Sequence, residues 1–398
     1  MRVGETIEVL IERILPGGAG LAHGGGLTVL VGLAAPGDRL RVRIERVRKK
    51  VAFASLVEIL QPSPARIEPP CPYFGRCGGC DFQQLNYEAQ LDAKVQMIRD
   101  CLRRIGRIEP PAEIPITGSP QAWRYRSRAQ WQRDALKQRL GYFERGTHEV
   151  CDVVECPVLV PALQQTLTLL RERMAANALP QEAMEFQSVA GDEGASLSPP
   201  LDDGPTLEVT REISGELYRF SATGFFQINH GLLETLVAAA THDAHGEAAH
   251  GGTAVDLYCG AGLFTLPLAR RFARVYGVEA STQAVHSARR NLLDAGLANA
   301  LVEAAAVSSW LSQNSRRLAP VDLVLLDPPR TGAEPGAVGG ILNLHPHRIT
   351  YVSCDPATLA RDLKDFIGGG YTLDSLAAYD MFPQTHHVET IAHLSLAT

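Results

Sequence analysis

Apolar and polar positions alternate through the first 60 residues. Ile7, Val9 and Ile11 alternate with Thr6, Glu8 and Glu12, and Leu40, Val42 and Ile44 alternate with Arg39, Arg41 and Arg43. A period of two predicts strands with one buried face. Gly17-Gly18 and Gly24-Gly25-Gly26 supply turns, and short strands joined this way predict a small barrel of the OB type. Pro62-Ser63-Pro64 and Pro69-Pro70 then mark a linker. From 87 to 104 the period lengthens, with Leu91, Val95, Ile98 and Leu102 on one helical face. Strands are predicted again from Trp123 to Val150, and the polar stretch from Gly191 to Pro205 reads as a loop. From about Gly224, helical segments alternate with short apolar runs. These end at Leu257 before a glycine turn, at Glu279, at Asp327 and at Ser353-Cys354. Such alternation predicts a mostly parallel, doubly wound sheet. The expected fold is multidomain α/β. It has an OB-like barrel over 1–60, a central α+β domain over 61–215 and a Rossmann-like domain over 216–398, on which the helix near 87–105 can pack.

Composition narrows the function classes. With 45% hydrophobic and 21% charged residues in 398, the chain is expected to be globular rather than disordered or fibrous. No apolar run reaches the roughly 18–20 residues of a membrane span. The charged, alternating start is unlike a signal core, so a cytoplasmic protein with no membrane association is expected. A net charge of −6 excludes a uniformly basic nucleic-acid coat but leaves room for a local basic face. Arg39 to Lys50 holds seven basic residues against one acid, Glu45. Trp123 to Val150 interleaves Arg124, Tyr125, Arg126, Arg128, Trp131 and Arg133. Each pattern fits either a solvated sheet face or a surface that contacts phosphates and stacks bases.

The chemistry collects where the apolar runs end. In an open parallel sheet, ligands bind beyond the carboxyl ends of the strands. Asp256 to Gly262 is a strand end followed by a glycine turn, and Glu279, about 20 residues on, stands where an acid binds a ribose diol. No third glycine follows at dinucleotide spacing and no Gly-Lys-Ser/Thr follows for a triphosphate. S-adenosylmethionine, with a ribose and a sulfonium but no phosphate, fits best. Asp327-Pro328-Pro329-Arg330 has an arginine where amino methyltransferases of bases carry an aromatic residue, which weakens amino methylation and favours carbon methylation or another substrate. Cys354 ends a strand just before a predicted helix, a placement expected to favour the thiolate. Cys259 is a competing thiol, and His386 and His387 are competing bases.

Eight cysteines in a long chain without a signal core suggest metal or catalysis rather than disulfides. Cys71, Cys77 and Cys80 share one turn with Gly78-Gly79, and a fourth thiolate would complete a zinc or iron–sulfur site. Cys156, Cys151 and Cys101 are the candidates for that fourth position.

Taken in order, these motifs resemble the RNA uracil-C5 methyltransferase family, specifically its RumA-type branch with a TRAM barrel and an iron–sulfur cluster. The carriers include Cys71-Pro72-Tyr73-Phe74-Gly75-Arg76-Cys77-Gly78-Gly79-Cys80, Cys156-Pro157-Val158-Leu159 and Gly224-Phe225-Phe226-Gln227-Ile228-Asn229. They continue with the Asp256–Gly262 turn, Asp327 to Arg330, Ser353 to Leu359, Met381-Phe382-Pro383 and His386 to Thr390. The resemblance implies Cys354 as nucleophile and Glu389 as base. It implies Gln227, Tyr258, Glu279 and Asp327 as residues that hold S-adenosylmethionine, and Cys71, Cys77, Cys80 and Cys156 as ligands of a [4Fe–4S] cluster. It implies a structured RNA partner, ribosomal or transfer RNA, with the target uracil extruded from its stack. Leu263 and Ala306 depart from the pattern near the adenosine. A non-catalytic RNA-binding iron–sulfur protein and an amino methyltransferase are the alternatives.

Overall fold

The computed structural model describes residues 2–397 except 203 and 319, and the side chain of 316 is outside the description. The amino-terminal strands form a six-stranded sheet. Its order is Thr6–Leu10, Arg39–Arg48, Val51–Gln61, Leu27–Val31, Gly20–Gly24 and Arg13–Ile14, and Thr6–Leu10 also touches Gly20–Gly24 near the opposite edge. The alternation in the sequence explains the core: Val9, Leu40, Val42 and Ile44 point inward. The partnered arginines of the strand face outward. Arg41 pairs with Glu8 and Glu58, Arg43 pairs with Glu45, and Arg46 lies 4.2 Å over the ring of Phe53.

A central antiparallel sheet runs Val150–Asp152, Arg139–Phe143, Arg128–Asp134, Glu185–Ala190 and Ala195–Ser198. Helix Pro161–Ala175 packs on it over a core that includes Trp131, Phe186, Leu163, Leu167 and Leu170. The edge strand Ala195–Ser198 lies inside the stretch expected to be a loop. Ala195, Ser196 and Leu197 are buried against the sheet although the surrounding Gly, Ser, Asp and Pro residues read as irregular.

The third sheet carries the chemistry. Five parallel strands run in the order Ala300–Ala304, Phe272–Glu279, Gly251–Leu257, Leu323–Leu326 and Arg348–Ser353. Glu389–Leu396 and Tyr371–Tyr379 follow antiparallel, and Ile116–Thr117 adds a short parallel edge. Leu323, Val324, Leu325 and Leu326 are all buried, as expected of a strand covered on both faces. The order reverses between Gly251–Leu257 and Leu323–Leu326, which opens a crevice at the carboxyl edge. Helix Tyr87–Cys101, continued by a wider turn over Leu102–Gly106, packs on helix Pro356–Gly368 of this layer. Residues 87–117 thus join this layer, as a helix packed on Pro356–Gly368 and as an edge strand. Among the described residues, no helix is long and apolar enough to cross a membrane.

Candidate active site

The strand ends converge on one cavity of about 1220 Å³. Gln227, Tyr258, Glu279, Asp327, Cys354 and Glu389 all line it. Tyr258 leaves its strand with φ +61°, a left-handed turn that aims the ring sideways, and its hydroxyl accepts from Glu334 N at 3.1 Å. Gly262 has φ +89°, and a Cβ there would come within 3.1 Å of Leu266. A side chain would therefore crowd the turn as well as strain it. The Glu279 carboxylate accepts from Gly260 N at 3.2 Å and Ser281 N at 2.7 Å, so the acid is held at the lip of the glycine turn. Gln227 Nε2 donates to Asp327 Oδ2 at 3.5 Å, while its Oε1 is buried without a partner among the described residues.

Register brings Cys354 and Glu389 together. Ser353 pairs with Thr390 in antiparallel strands, so one further step sets 354 opposite 389. Thr390 Oγ1 donates to Ser353 O at 2.9 Å and secures that step. Tyr379 pairs with Glu389 on its other side. Glu389 is buried, and its Oε1 has no partner among the described residues.

The electrostatics differ from the sequence expectation. The Cys354 thiol is pushed up to about 12 by burial, then by the charges of Glu389 and Asp327, with Arg330 opposing them. The helix that follows does not deliver its amino-terminal amides to the sulfur. Asp355 takes them instead, accepting from Ala357 N and Thr358 N at 2.9 Å each. Burial lifts Glu389 well above the carboxylate range, Asp327 adds to this, and Arg330 opposes it. Asp327 rises to about 7 through burial, eased by the hydrogen bond from Gln227. Behind the turn, burial lifts Asp256 to about 7 while Thr265 Oγ1 donates to it at 2.5 Å.

The rival groups are placed differently. Cys259 lines the cavity on the Glu279 side, and burial, Asp256 and Glu279 push its thiol well above the usual value. His386 Nδ1 lies 2.5 Å from Asp81 Oδ2, and burial and His386 push His387 down to about 3. Neither histidine is among the residues that line the cavity. Leu263 lines it and is buried, whereas Ala306 is exposed. Sequence reasoning missed Phe382 and Glu334 as lining residues. Phe382 lay within a quoted motif, while Glu334 gave no local signal.

Cys71, Cys77, Cys80 and Cys156 line a second, small pocket with Gln83, Arg126 and Tyr142. Burial lifts Cys77 to about 12 and Cys80 to about 11, and the neighbouring cysteines add to this. The positive charge of Arg126 lowers Cys80 and Cys156. Cys151 is buried in the central core and accepts from Arg76 Nε at 3.4 Å, and Cys101 belongs to the core behind the catalytic sheet. Among the described residues, no three His, Cys, Asp or Glu side chains are already arranged around a single metal ion.

The interleaved basic and aromatic segment is mostly inward. Tyr125, Ser127, Ala129, Trp131 and Arg133 alternate into the core. Arg128 donates to Gly224 O and to Ala222 O, and Arg133 donates to Pro180 O at 2.8 Å. Of the segment's arginines between Trp123 and Arg133, Arg124 stays exposed. Of the two readings of this segment, base stacking is not supported at Tyr125 and Trp131, whose rings the period of two buries, while Phe143 stays exposed.

Comparison with known proteins fixes the family. Residues 206–396 match the model for tRNA (uracil-5-)-methyltransferases, and residues 1–57 match the TRAM domain. The chain is 33% identical to the 23S rRNA (uracil(1939)-C(5))-methyltransferase RlmD of Pectobacterium atrosepticum, over 98% of this chain and 93% of that one. The chain belongs to the RNA uracil-C5 methyltransferase family. This methyltransferase is also 32% identical to an uncharacterized RNA methyltransferase of Thermosynechococcus vestitus, over 98% of both chains. Among solved structures, its fold is similar to that of the Pyrococcus abyssi tRNA (uracil-54, C5)-methyltransferase in complex with S-adenosyl-L-homocysteine. The TM-score is 0.73 at 26% identity, covering 97% of this chain and 100% of that one.

Proposed function

We propose that this methyltransferase moves a methyl group from S-adenosylmethionine to C5 of a uracil in structured RNA, through a covalent bond between Cys354 and C6. The observation that carries the reading is the register that sets Cys354 opposite Glu389 at the wall of a cavity shared with Gln227, Tyr258, Glu279 and Asp327. C5 of uracil is a weak nucleophile. Addition of the Cys354 thiolate to C6 places negative charge on C5 as an enolate. C5 then attacks the donor's methyl carbon as the sulfonium–methyl bond breaks and S-adenosylhomocysteine leaves, Glu389 in its ionised form removes the C5 proton, and the returning electron pair expels the thiolate. The thiol at about 12 must lose its proton before addition. Arg330 is the nearby charge that favours this loss. The unpartnered Oε1 of Glu389 supports a base that meets its proton only when the ring is in place. The unpartnered Oε1 of Gln227 and the fixed Glu279 carboxylate fit a ligand with polar groups and a ribose diol.

The four cysteines around Arg126 fit a [4Fe–4S] cluster by donor chemistry, with Cys156 as fourth ligand. The reaction needs no redox step, so their proposed role is to hold the central domain together. The proposed target is 23S ribosomal RNA, on the similarity to the RlmD relatives. The similarity to the Pyrococcus enzyme favours the transfer-RNA T-loop uridine as second reading. Incubation with total RNA lacking 5-methyluridine and with labelled donor, followed by mass mapping, decides between them. Label on a ring carbon of 23S uracil is expected. Label on transfer RNA supports the second reading, and label on an exocyclic amine, or no label, overturns both.

A further inference from the structure

The loop from Asp380 to Val388 joins the strand Tyr371–Tyr379 to the strand that begins at Glu389. It carries Phe382 to the cavity wall and ends at the base. Met381 and Val388 pack into the cores of its own layer, and residues 81–125 hold it by hydrogen bonds from the other side. Lys94 and Asp380 form an ion pair with both side chains 0% exposed, and Lys94 Nζ also donates to Phe382 O at 3.1 Å. Gln90 and Gln384 exchange two hydrogen bonds, Gln384 N to Gln90 Oε1 at 2.9 Å and Gln90 Nε2 to Gln384 Oε1 at 3.0 Å. Tyr125 Oη donates to Pro383 O at 2.7 Å. Asp81 accepts His386 N at 2.9 Å.

A buried ion pair is a poor source of stability. Replacing such a pair by well-packed neutral groups is often neutral or stabilising, because desolvating two charges offsets their attraction. Burial does push the Lys94 ammonium down, and Asp380 holds it up. What the pair does supply is direction. An ammonium fixed on the rigid helix Tyr87–Cys101 reaches both ends of the turn Asp380–Phe382, seven residues before the base.

We propose that Lys94 is a positioning residue for the methyl transfer, which with Asp380 sets the loop that delivers Phe382 and Glu389 to the cavity. The role rests on the proposed function, since it concerns the step in which Glu389 removes the C5 proton. The single change Lys94→Met would strand the Asp380 carboxylate in the core and risks unfolding. The test is therefore the neutral double variant Lys94→Met with Asp380→Asn, in the full chain, beside the wild type. Expected is a fall in kcat of about 10- to 100-fold with KM for RNA and donor unchanged. The fraction of enzyme caught as a denaturation-resistant RNA complex should rise, because proton removal slows while sulfur addition does not. A purely structural role would lower folded protein and complex together, and thermal unfolding with donor binding measures that fraction. Wild-type kcat in the double variant, or a loss that tracks the folded fraction with no rise in complex, overturns the positioning role alone. Wild-type protein that makes no 5-methyluridine overturns the proposed function and this role with it.

Discussion

Cys354 and the cysteines around Arg126 begin alike. All sit beside residues that bury them, and burial lifts Cys354 and Cys77 to about 12. Their neighbours set them apart. For Cys77, Cys80 and Cys156 the charges that add to burial are those of other thiols, with the Arg126 guanidinium opposing them at Cys80 and Cys156. A group of sulfurs that resist ionisation together is relieved by a multivalent cation or cluster. Beside Cys354 the burdens are two carboxylates, Glu389 and Asp327, and the wall opens on a large cavity. In the proposed reaction that thiol is relieved by bonding to C6 of the uracil ring. In the proposed function the same element would thus make a lasting bond in one place and a reversible one in the other.

The comparison breaks most visibly at the nucleophile. Cys354→Ala should reduce methyl transfer by about 10⁴-fold or more while donor binding by calorimetry stays. Methylation at the wild-type rate would show that the sulfur is not the nucleophile. Glu389→Gln should slow turnover by about 10²- to 10⁴-fold and leave a denaturation-resistant RNA complex. Normal turnover without that complex would remove Glu389 from the base role.

The other pocket should answer to different probes. Cys80→Ser should abolish visible absorption from bound iron and sulfide and lower the thermal midpoint by about 4–8 °C or more. Its remaining folded fraction should still form the Cys354 complex. A variant with full iron content would exclude Cys80 as a ligand. The smallest effect is on pH. Asp327 and Glu389 have folded values raised above their unfolded ones, so the folded state holds more protons than the unfolded state between them. Their contribution is complete below the unfolded value near 4 and is lost as pH rises through about 7 and beyond. Denaturant unfolding should show stability falling from pH 5 to 8 by on the order of 1–3 kcal/mol from these groups. Glu389→Gln should flatten that slope, and an unchanged slope would place the excess protons elsewhere.

The catalytic sheet was legible because its chemistry is local. Glu279, Asp327 and Cys354 each end an apolar run, and a parallel sheet gathers such ends at one edge. The barrel was legible because Leu40, Val42 and Ile44 alternate strictly with arginines. What stayed hidden depends on distance or on direction. Lys94 meets Asp380 across 286 positions, and no local pattern reports such a partner. Ile116–Thr117 is two residues long and becomes a strand only because Ala378–Tyr379 lies beside it. Trp131 and Arg133 fitted either a solvated face or a stacking surface in the sequence, and their inward phase supports neither. The thiolate expected at Cys354 failed because burial and the charges of Glu389 and Asp327 raise the thiol, while Asp355, the next residue, claims the helix amides.

RNA carrying 5-fluorouridine probes the proposed carbon–sulfur bond at position 354. After methyl transfer to C5, a fluorine in place of the departing proton cannot be removed by a base, so the sulfur cannot be expelled. Nuclease and protease digestion followed by mass spectrometry should then find a methylated fluorouridine nucleotide on the peptide that contains Cys354. The same mass on the Cys259 peptide, or no covalent product while 5-methyluridine forms on ordinary RNA, would contradict the account.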